Sequence, residues 1–380
     1  MSRASLLRRA PGHARLLLFV LLALAAPALA SCGSGSGPPT RVGGVAVDVV
    51  FGEPPDAVVA DVDIAAAMGA EALRVSVQWS TFEIAKGRYA GYYLDGLDTL
   101  FRRARESGLR VLLTPVTTPC WAVATPGPDG TTGCGTPERS AQTARLPPTR
   151  SGDYADFLAF LARRYRDTLM GIEVWNEPNL RGTWDTPDPA AAYARLLKAV
   201  YPAVKRAAPS VPVVAGALAG AGVTGTFLDD LYAAGIDGHF DVLSVHAYND
   251  GRAPDTLVDP ALAQTTVLQG LRRLRETLDR HDERRPVWVT EIGWNTSTQR
   301  GQPFLDGVTE AQQARYLRRA LELLRSPGGD IGFPEAVFVY RLRDVGADPA
   351  VPDQNYGLIT KARRAKPALA AVRAAFGGKD

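Results

Sequence analysis

Near its midpoint the sequence reads Gly171-Ile172-Glu173-Val174-Trp175-Asn176-Glu177-Pro178. The beginning of this stretch is a short, largely apolar run of the kind that forms a buried β-strand, so Glu177 follows the end of a strand. A second glutamate, Glu291, closes the β-rich run Val287–Thr290 in the same way. A carboxylate at the C-terminal end of a short strand is where enzymes built on parallel barrels place their chemistry.

Similar β-rich runs recur on both sides of this stretch. We predict strands at Val42–Val47, Ala72–Val77, Arg110–Pro115, Gly171–Trp175, Val211–Gly216, Asp241–Val245, Pro286–Thr290 and Ala336–Tyr340. Amphipathic segments alternate with them, and the predicted helices include Tyr93–Glu106, Asp153–Arg166, Pro189–Ala208, Ala261–Arg280, Thr309–Arg325 and Lys366–Phe376. Eight strands interleaved with helices predict an α/β fold, a single (β/α)8 TIM barrel.

An open, doubly wound sheet is the rival architecture. It usually carries a glycine-rich phosphate-binding loop after its first strand. In this chain Gly43 and Gly44 lie inside the first predicted strand, and no GxGxxG or GxxxxGK[ST] motif occurs. The barrel is therefore the preferred prediction.

The N-terminal segment is predicted to be a targeting signal rather than part of the barrel. Several arginines precede an apolar run of 15 residues, Leu16–Ala30, which is shorter than the ~20 residues that a membrane-spanning helix needs. The run ends Leu29-Ala30-Ser31-Cys32, which resembles the lipobox of bacterial lipoproteins. We therefore interpret residues 1–31 as a lipoprotein-type signal peptide. A plain signal peptide cut near Ala30 is the alternative.

Residues 32–40 are rich in glycine, serine and proline, a composition typical of a flexible tether. We expect the domain at 41–380 to be exported. It would be lipid-anchored through Cys32 at the outer face of a bacterial cell membrane, or secreted. No other membrane contact is predicted.

Two further cysteines, Cys120 and Cys134, lie in one Gly/Pro/Thr-rich stretch. Export makes a disulfide between them plausible, and closing a loop of this length would stabilise the fold by on the order of 3 kcal/mol. Two cysteines without a nearby histidine make a poor metal site. The long segment Thr117–Arg150 that contains them is predicted to wall one side of a cleft.

The overall composition is that of an ordinary globular protein. Of the 380 residues, 46% are hydrophobic and 22% are charged, and the net charge is +3. That charge is too small to indicate a nucleic-acid partner. Only four histidines occur, in no HxH or HxxEH arrangement, and there is no GxSxG motif. Metal-dependent and serine hydrolases are therefore disfavoured, no metal or organic cofactor is predicted, and we expect a monomer.

An ordered set of motifs at successive strand ends resembles the retaining glycoside hydrolases of clan A, with families 39 and 5 as the most similar. Asn176-Glu177-Pro178 follows the fourth strand and Glu291 closes the seventh, and the resemblance covers nearly all of residues 41–380. The other residues that carry it are Arg74 in the second strand, His246-Ala247-Tyr248 after the sixth, Ile292-Gly293-Trp294 after Glu291, Tyr356-Gly357-Leu358, and Lys366-Pro367.

The resemblance implies that Glu177 is the general acid/base and Glu291 the nucleophile. A proton donor must stay protonated near neutral pH, and the negative charge of Glu291 close by favours that state of Glu177. Arg74 is then expected to keep Glu291 charged and oriented. Asn176 would bind the sugar 2-hydroxyl.

Residues after the sixth strand complete the polar part of this predicted site. Tyr248 is expected to hydrogen-bond Glu291, and His246 to line the floor of the site near that glutamate. Retention requires the two carboxyl groups about 5 Å apart and inversion about 6.5–9.5 Å, and the sequence leaves this distance open.

Aromatic rings bind the apolar faces of sugars, and several lie near the strand ends. We predict Trp294 and Tyr340 to bind substrate. Trp79, Trp121 and Trp184 are candidates for either the site or the core, and Trp288 is expected to pack against helices. Two departures from the resemblance stand out. Tyr340 occupies a position where many relatives carry tryptophan, and Gln78-Trp79 stands where some place histidine.

The sequence thus predicts a retaining β-glycosidase that hydrolyses an extracellular oligo- or polysaccharide through a covalent glycosyl-enzyme. Two alternatives stay open. One is a sugar-binding lipoprotein that has kept the fold without turnover. The other is a transglycosylase of envelope polysaccharides, which would share the covalent intermediate and differ in its acceptor.

Overall fold

The computed structural model describes residues 41–48, 53–123, 134, 136–220, 225–258, 266–301, 305–325 and 331–378. The predicted signal peptide, Cys32 and the tether lie outside these residues. Residues 40–380 form one compact unit. Within the described parts of the chain, no helix combines the length and apolarity needed to cross a bilayer.

Eight parallel strands close into a barrel, which confirms the predicted (β/α)8 fold. The strands are β1 (Val42–Val47), β2 (Ala72–Gln78), β3 (Arg110–Val116), β4 (Leu169–Val174), β5 (Val213–Leu218), β6 (Val242–His246), β7 (Val287–Ile292) and β8 (Ala336–Val339). Each strand pairs with its sequence neighbours, and β1 pairs with both β2 and β8. Their C-terminal ends therefore meet at one rim of the barrel.

Helices surround the barrel on its outer face. They are α1 (Pro55–Ala67), α2 (Gly91–Glu106), α3 (Ser151–Tyr165), α4 (Pro189–Ala207), α5 (Phe227–Ala233), α6 (Val267–Arg280), α7 (Glu310–Arg325) and α8 (Pro367–Phe376). Several begin with the expected signals: Asp188 caps α4 with its side chain, and proline stands at the start of α1, α4 and α8. The predicted start of α6 at Ala261 falls outside the described residues.

The alternation of side chains along the strands divides the core into two parts. One buried cluster lies inside the barrel and consists of strand residues alone: Ala72, Leu112, Val214, Val242, Trp288, Ala336 and Phe338. The larger cluster fills the space between the strands and the helices, with Val287 and Val289 among its members. The inner cluster thus forms a floor beneath the rim where the strands end.

Trp288 lies in this inner cluster, so the expectation that it packs against the helices was wrong. The cause is an irregularity in β7. Val289 is paired with Val245, but the next pair joins Glu291 to His246, which leaves Thr290 as an extra residue. This bulge reverses the alternation, so that Trp288 and Glu291 both face inward, although they are three positions apart.

The predicted disulfide between Cys120 and Cys134 is present, with the two Cα atoms 5.6 Å apart. Beyond it, a short helix at Pro137–Ala144 is fastened to the loops that follow β3 and β4. The Thr118 N–H donates to Ala144 at 2.9 Å, and the Asp185 N–H donates to Arg145 at 2.8 Å. This part of the chain stands above the rim of the barrel.

Candidate active site

The C-terminal rim brings together seven of the eight predicted site residues. Arg74 comes from β2, Glu291 from β7 and His246 from the end of β6. The loops after β4, β6 and β8 supply the remaining four, which are Asn176, Glu177, Tyr248 and Tyr340. Because parallel strands end at the same rim, residues far apart in sequence become neighbours there.

Glu177 follows β4 in a constrained backbone conformation. Its φ is 49° and that of Trp175 is 69°, both in the left-handed region that side-chain-bearing residues rarely adopt. Surrounding contacts hold this turn in place: the Glu177 N–H donates to the carbonyl of Ala217 at 3.1 Å, and the indole of Trp175 donates to Thr183 at 3.0 Å. Such strain persists where neighbouring structure over-determines it, typically at functional sites.

Arg74 hydrogen-bonds three other residues of the site. Its Nη1 donates to Glu291 Oε1 at 2.5 Å, its Nη2 to Asn176 Oδ1 at 2.8 Å and its Nε to Glu173 Oε2 at 2.8 Å. Burial alone would lower the pKa of Arg74, but the charges of Glu173 and Glu291 raise it above its usual value. Arg74 therefore stays charged and orients both Glu291 and Asn176.

His246 lies between the two candidate catalytic glutamates. Its Nδ1 is 2.8 Å from Glu177 Oε1 and 3.5 Å from Glu291 Oε2, so these two oxygens are separated by at most the sum of the two distances, 6.3 Å. Burial lowers the pKa of His246, but the charge of Glu291 and the hydrogen bond with Glu177 outweigh burial and raise it. His246 therefore lies close to Glu291, and it also hydrogen-bonds Glu177.

Tyr248 makes the expected hydrogen bond: its hydroxyl donates to Glu291 Oε2. Its ring packs edge-on against Tyr340 and Tyr356, with ring centroids 6.2 and 5.8 Å away. Burial and the nearby charge of Glu291 raise the pKa of the Tyr248 hydroxyl well above its usual value, which keeps it a hydrogen-bond donor. Glu291 is thus held by a cation on one oxygen and a hydroxyl on the other.

A cavity of about 390 Å³ opens over part of this site. Glu291, Arg74, Asn176 and Tyr340 line its floor. Its wall includes Ala141, Ala144 and Arg145 around the end of the short helix, together with Thr117, as the predicted wall at Thr117–Arg150 requires. Most other lining groups are small or polar, and they include Asp48, Ser76 and Gln78. Such a cavity suits a polyhydroxylated ligand.

Trp294 is the predicted site residue that the structure places elsewhere. It is 1% exposed, its indole donates to the carbonyl of Arg252 at 2.8 Å, and its ring packs edge-on against Tyr316 of α7. It follows β7 closely enough to suggest a site role from sequence, but its side chain turns outward into the core. The side chain of Trp294 is therefore not placed to stack on a sugar in this cavity.

The other candidate tryptophans belong mainly to the core. Trp79 is fully buried and stacks on Phe157, and Trp184 is fully buried against Trp175. Trp121 is partly buried and donates to the carbonyl of Glu83 at 2.8 Å. Trp175, which lies within the motif of the fourth strand, is the tryptophan among the cavity-lining residues.

Two residues of the site were not assigned chemistry from sequence. Glu173 points inward from β4 and pairs with Arg74. Tyr356 was noted only as part of a motif, yet its ring completes the tyrosine cluster beside Tyr248. Burial raises the pKa of Tyr356 to about 12, against the opposing effect of a hydrogen bond with Asn295. The alternation of side chains along β4 could have indicated from sequence that Glu173 faces the site. The packing of Tyr356 depends on tertiary contacts and could not.

No group of three or more His, Cys, Asp or Glu residues suited to a metal ion occurs in the described ranges. The polar groups of the site are instead paired with one another, carboxylate with guanidinium, imidazole or hydroxyl. This arrangement matches a reaction carried by two carboxylic groups.

Comparison with protein families gives a match over most of the chain. The model described as cellulase, glycosyl hydrolase family 5, matches residues 36–324. A search of curated proteins gives no significant match.

Solved structures with the same fold include three glycoside hydrolases. A family 39 enzyme from the gut symbiont Bacteroides cellulosilyticus WH2 has a TM-score of 0.65 and 23% identity, covering 88% of this chain and 63% of its own. An exo-β-1,4-mannosidase from Opitutaceae bacterium strain TAV5 has a TM-score of 0.59 and 19% identity, covering 89% and 59%. A GH5_18 protein from Streptomyces cattleya, in complex with GlcNAc, has a TM-score of 0.61 and 21% identity, covering 89% and 80%. The chain thus spans less than two thirds of the first two neighbours.

Proposed function

Because the chain belongs to the cellulase family, glycosyl hydrolase family 5, we propose that this glycoside hydrolase cleaves β-glycosidic bonds with retention of configuration. The substrate we propose is an oligo- or polysaccharide outside the cell. Two neighbours in structure are described as a β-1,4-mannosidase and a β-xylosidase, both enzymes of β-linked sugars.

The observation that carries the proposal is the separation of the two glutamates. The Glu177 and Glu291 oxygens that face His246 are at most 6.3 Å apart. Inverting enzymes need about 6.5–9.5 Å between carboxyl groups to fit a water, whereas retaining enzymes need about 5–5.5 Å. The bound for these two oxygens is compatible with the retaining arrangement.

In the first step, Glu291 attacks the anomeric carbon and forms an ester bond to it. The bond from that carbon to the leaving oxygen breaks, and Glu177 gives its proton to that oxygen. In the second step, Glu177 takes a proton from water, the water oxygen bonds to the anomeric carbon, and Glu291 leaves as a carboxylate. The free enzyme is restored after each cycle.

The neighbours of the two glutamates suit these roles. Arg74 binds one oxygen of Glu291 and the hydroxyl of Tyr248 binds the other, which fixes the orientation that a nucleophile needs. His246 and the constrained turn hold Glu177 at the opposite side of the reacting bond. Asn176, oriented by Arg74, reaches into the cavity, where it would bind the 2-hydroxyl of the sugar. Tyr340 would lie against the same sugar.

Trapping of the covalent intermediate tests this proposal. A 2-deoxy-2-fluoro β-glycoside with a good leaving group should inactivate the enzyme, and peptide mapping should find the label on Glu291. The sugar is chosen by first screening aryl β-glycosides alongside plant and bacterial polysaccharides. Labelling of a different residue would overturn the assignment.

The Glu291→Ala variant is the companion measurement. It should lose turnover and retain binding of an oligosaccharide by calorimetry. If the wild-type protein binds glycans but hydrolyses none of them, the chain is a sugar-binding protein that keeps the fold without turnover.

Export remains part of the proposal and rests on the sequence of residues 1–40. The short apolar run and the lipobox-like Leu29-Ala30-Ser31-Cys32 support a lipid anchor at Cys32 on the outer face of the membrane. In that location the enzyme would meet extracellular glycans.

A further inference from the structure

A third carboxylate lies directly beneath the two proposed catalytic ones. Glu173 points into the barrel from β4 and is 0% exposed. Its Oε2 is 2.8 Å from Arg74 Nε and 2.7 Å from Arg74 Nη2, and it also accepts a hydrogen bond from the hydroxyl of Thr114 at 2.8 Å. Neither step of the proposed reaction uses Glu173.

Arg74 is shared between two carboxylates. While Glu173 occupies one edge of the guanidinium, Nη1 contacts Glu291 Oε1 at 2.5 Å. One positive charge therefore faces two negative ones in a place that is nearly closed to water: Arg74 is 2% exposed and Glu291 7%. Arg74 cannot fully neutralise Glu291 while it also balances Glu173.

Other titratable groups face this trio from the rim and from two helices. Tyr154 of α3 and Tyr193 of α4 interact with Glu173, and Tyr356 interacts with Glu291. His246 faces the trio from β6, with Glu177 on its far side. Tyr248 and Tyr340 face it from the loops after β6 and β8.

Glu173 itself stays ionised. Burial raises the pKa of Glu173, but Arg74, His246 and the hydrogen bond from Thr114 outweigh burial and lower it.

We propose that Glu173 is a positioning residue that divides the charge of Arg74, so that Glu291 remains a reactive nucleophile and Arg74 keeps a counter-ion after Glu291 is esterified. This inference rests on the proposed retaining mechanism. In this role, Glu173 influences the relative rates of the two steps of the reaction.

The charges before and after the first step give the physical reason. Before attack, the trio carries one positive and two negative charges, and the excess negative charge favours donation of electrons by Glu291. When Glu291 becomes an ester its charge is lost, and Arg74 and Glu173 remain as a neutral buried pair. Without Glu173, the covalent state would leave Arg74 buried and unpaired, which is strongly unfavourable.

The test compares Glu173→Gln with Glu173→Asp. Gln keeps the size of the side chain and removes the charge, whereas Asp keeps the charge on a shorter side chain. Burst kinetics with an activated aryl β-glycoside give the rate of the first step, and titration with the 2-fluoro sugar counts the active sites. The pH dependence of kcat/KM does not depend on how much of a variant is folded.

For Glu173→Gln we expect a first step slower by on the order of tenfold, a smaller burst, and both limbs of the pH profile moved about one unit toward lower pH. These are the effects expected of one neighbouring charge. In Glu173→Asp, both limbs of the pH profile should lie closer to their wild-type positions. If Gln leaves the burst and the profile unchanged, or if Asp shifts the profile while Gln does not, Glu173 only fills space and the inference is wrong.

The same experiment separates this inference from the proposed function. A wild-type enzyme that shows no burst and takes no label on Glu291 contradicts the retaining mechanism itself. A labelled, active wild type combined with an unaltered Glu173→Gln variant contradicts the role of Glu173 alone.

Discussion

Glu177 and Glu291 stand close together yet have different partners, and this difference supports a division of labour. Glu291 is bound by Arg74 and by the hydroxyl of Tyr248, while Glu177 is bound by His246. The guanidinium and the hydroxyl fix the orientation of Glu291, as a nucleophile requires. An imidazole can exchange a proton with its neighbour, as suits an acid/base residue.

At the scale of single residues, we predict that the activity of Glu177→Gln depends on the leaving group of the substrate. With substrates whose leaving group needs a proton, kcat/KM should fall about 10²–10⁴-fold, the usual contribution of a general acid. With a dinitrophenyl glycoside, whose leaving group needs no proton, the first step should be nearly as fast as in the wild type. Added azide should restore the second step by replacing the activated water.

Steady-state kinetics over a series of aryl leaving groups measures this effect. Gln retains an oxygen that can pair with His246, so the geometry of the site is preserved. A loss of equal size for every leaving group would argue against Glu177 as the acid.

At the scale of elements, two bulges orient the proposed catalytic residues. The bulge in β7 turns Glu291 into the barrel. The other lies in β5, where the pairing with β6 shifts between Ala215 and Leu218, and Gly216 and Ala217 have φ values of 114° and 46°. There the carbonyl of Ala217 receives the N–H of Glu177. Bulges next to active sites re-aim side chains in this way.

Gly216 is the residue that makes the β5 bulge possible. A Cβ at this position would lie 2.4 Å from the backbone oxygen of Ser244, and its φ of 114° is unfavourable for any side chain. We predict that Gly216→Ala lowers the free energy of unfolding by about 2 kcal/mol or more, through strain and overpacking.

Gly152 in α3 is the matched control for this substitution. A Cβ there would meet no atom within 4 Å, so Gly152→Ala should stabilise the protein by about 0.5–1 kcal/mol. Guanidinium unfolding of both variants measures the difference. Free energies of unfolding within about 0.5 kcal/mol of each other would contradict the role assigned to the bulge.

At the scale of the whole molecule, the carboxyl groups with shifted pKa values are of two opposite kinds. Burial raises the pKa of Asp250 to about 6 and also raises those of Asp61 and Asp344. Hydrogen bonds from arginines lower the pKa of Glu53 and of Asp98. Groups of the first kind bind protons more tightly in the folded state, and groups of the second kind more weakly.

The melting temperature should therefore pass through a maximum at mildly acidic pH. As the pH falls through about 6, Asp250 takes up a proton in the folded state while its unfolded counterpart, with an ordinary value of 3.8, does not, so stability rises. Below about pH 4, the carboxylates with lowered pKa become protonated in the unfolded chain first, and stability falls.

Calorimetry from pH 3 to 8 measures this profile. Asp250→Asn should flatten the rise between pH 7 and 5 and leave the loss at lower pH in place. A wild-type melting temperature that falls steadily from pH 7 downward would contradict the prediction.

The sequence by itself determined the eight strands, their alternation with helices and the position of Glu177 and Glu291 at strand ends. These features follow from local hydrophobic periodicity and from the rule that parallel strands end at one rim. Tertiary structure alone decided that Trp288 faces inward, that Trp294 lies in the core and that His246 joins the two glutamates. Tertiary structure also decided that Arg74 binds both Glu173 and Glu291, which lie on different strands. Such contacts depend on register and bulges between strands distant in sequence, and a shift of one residue reverses which way a side chain points.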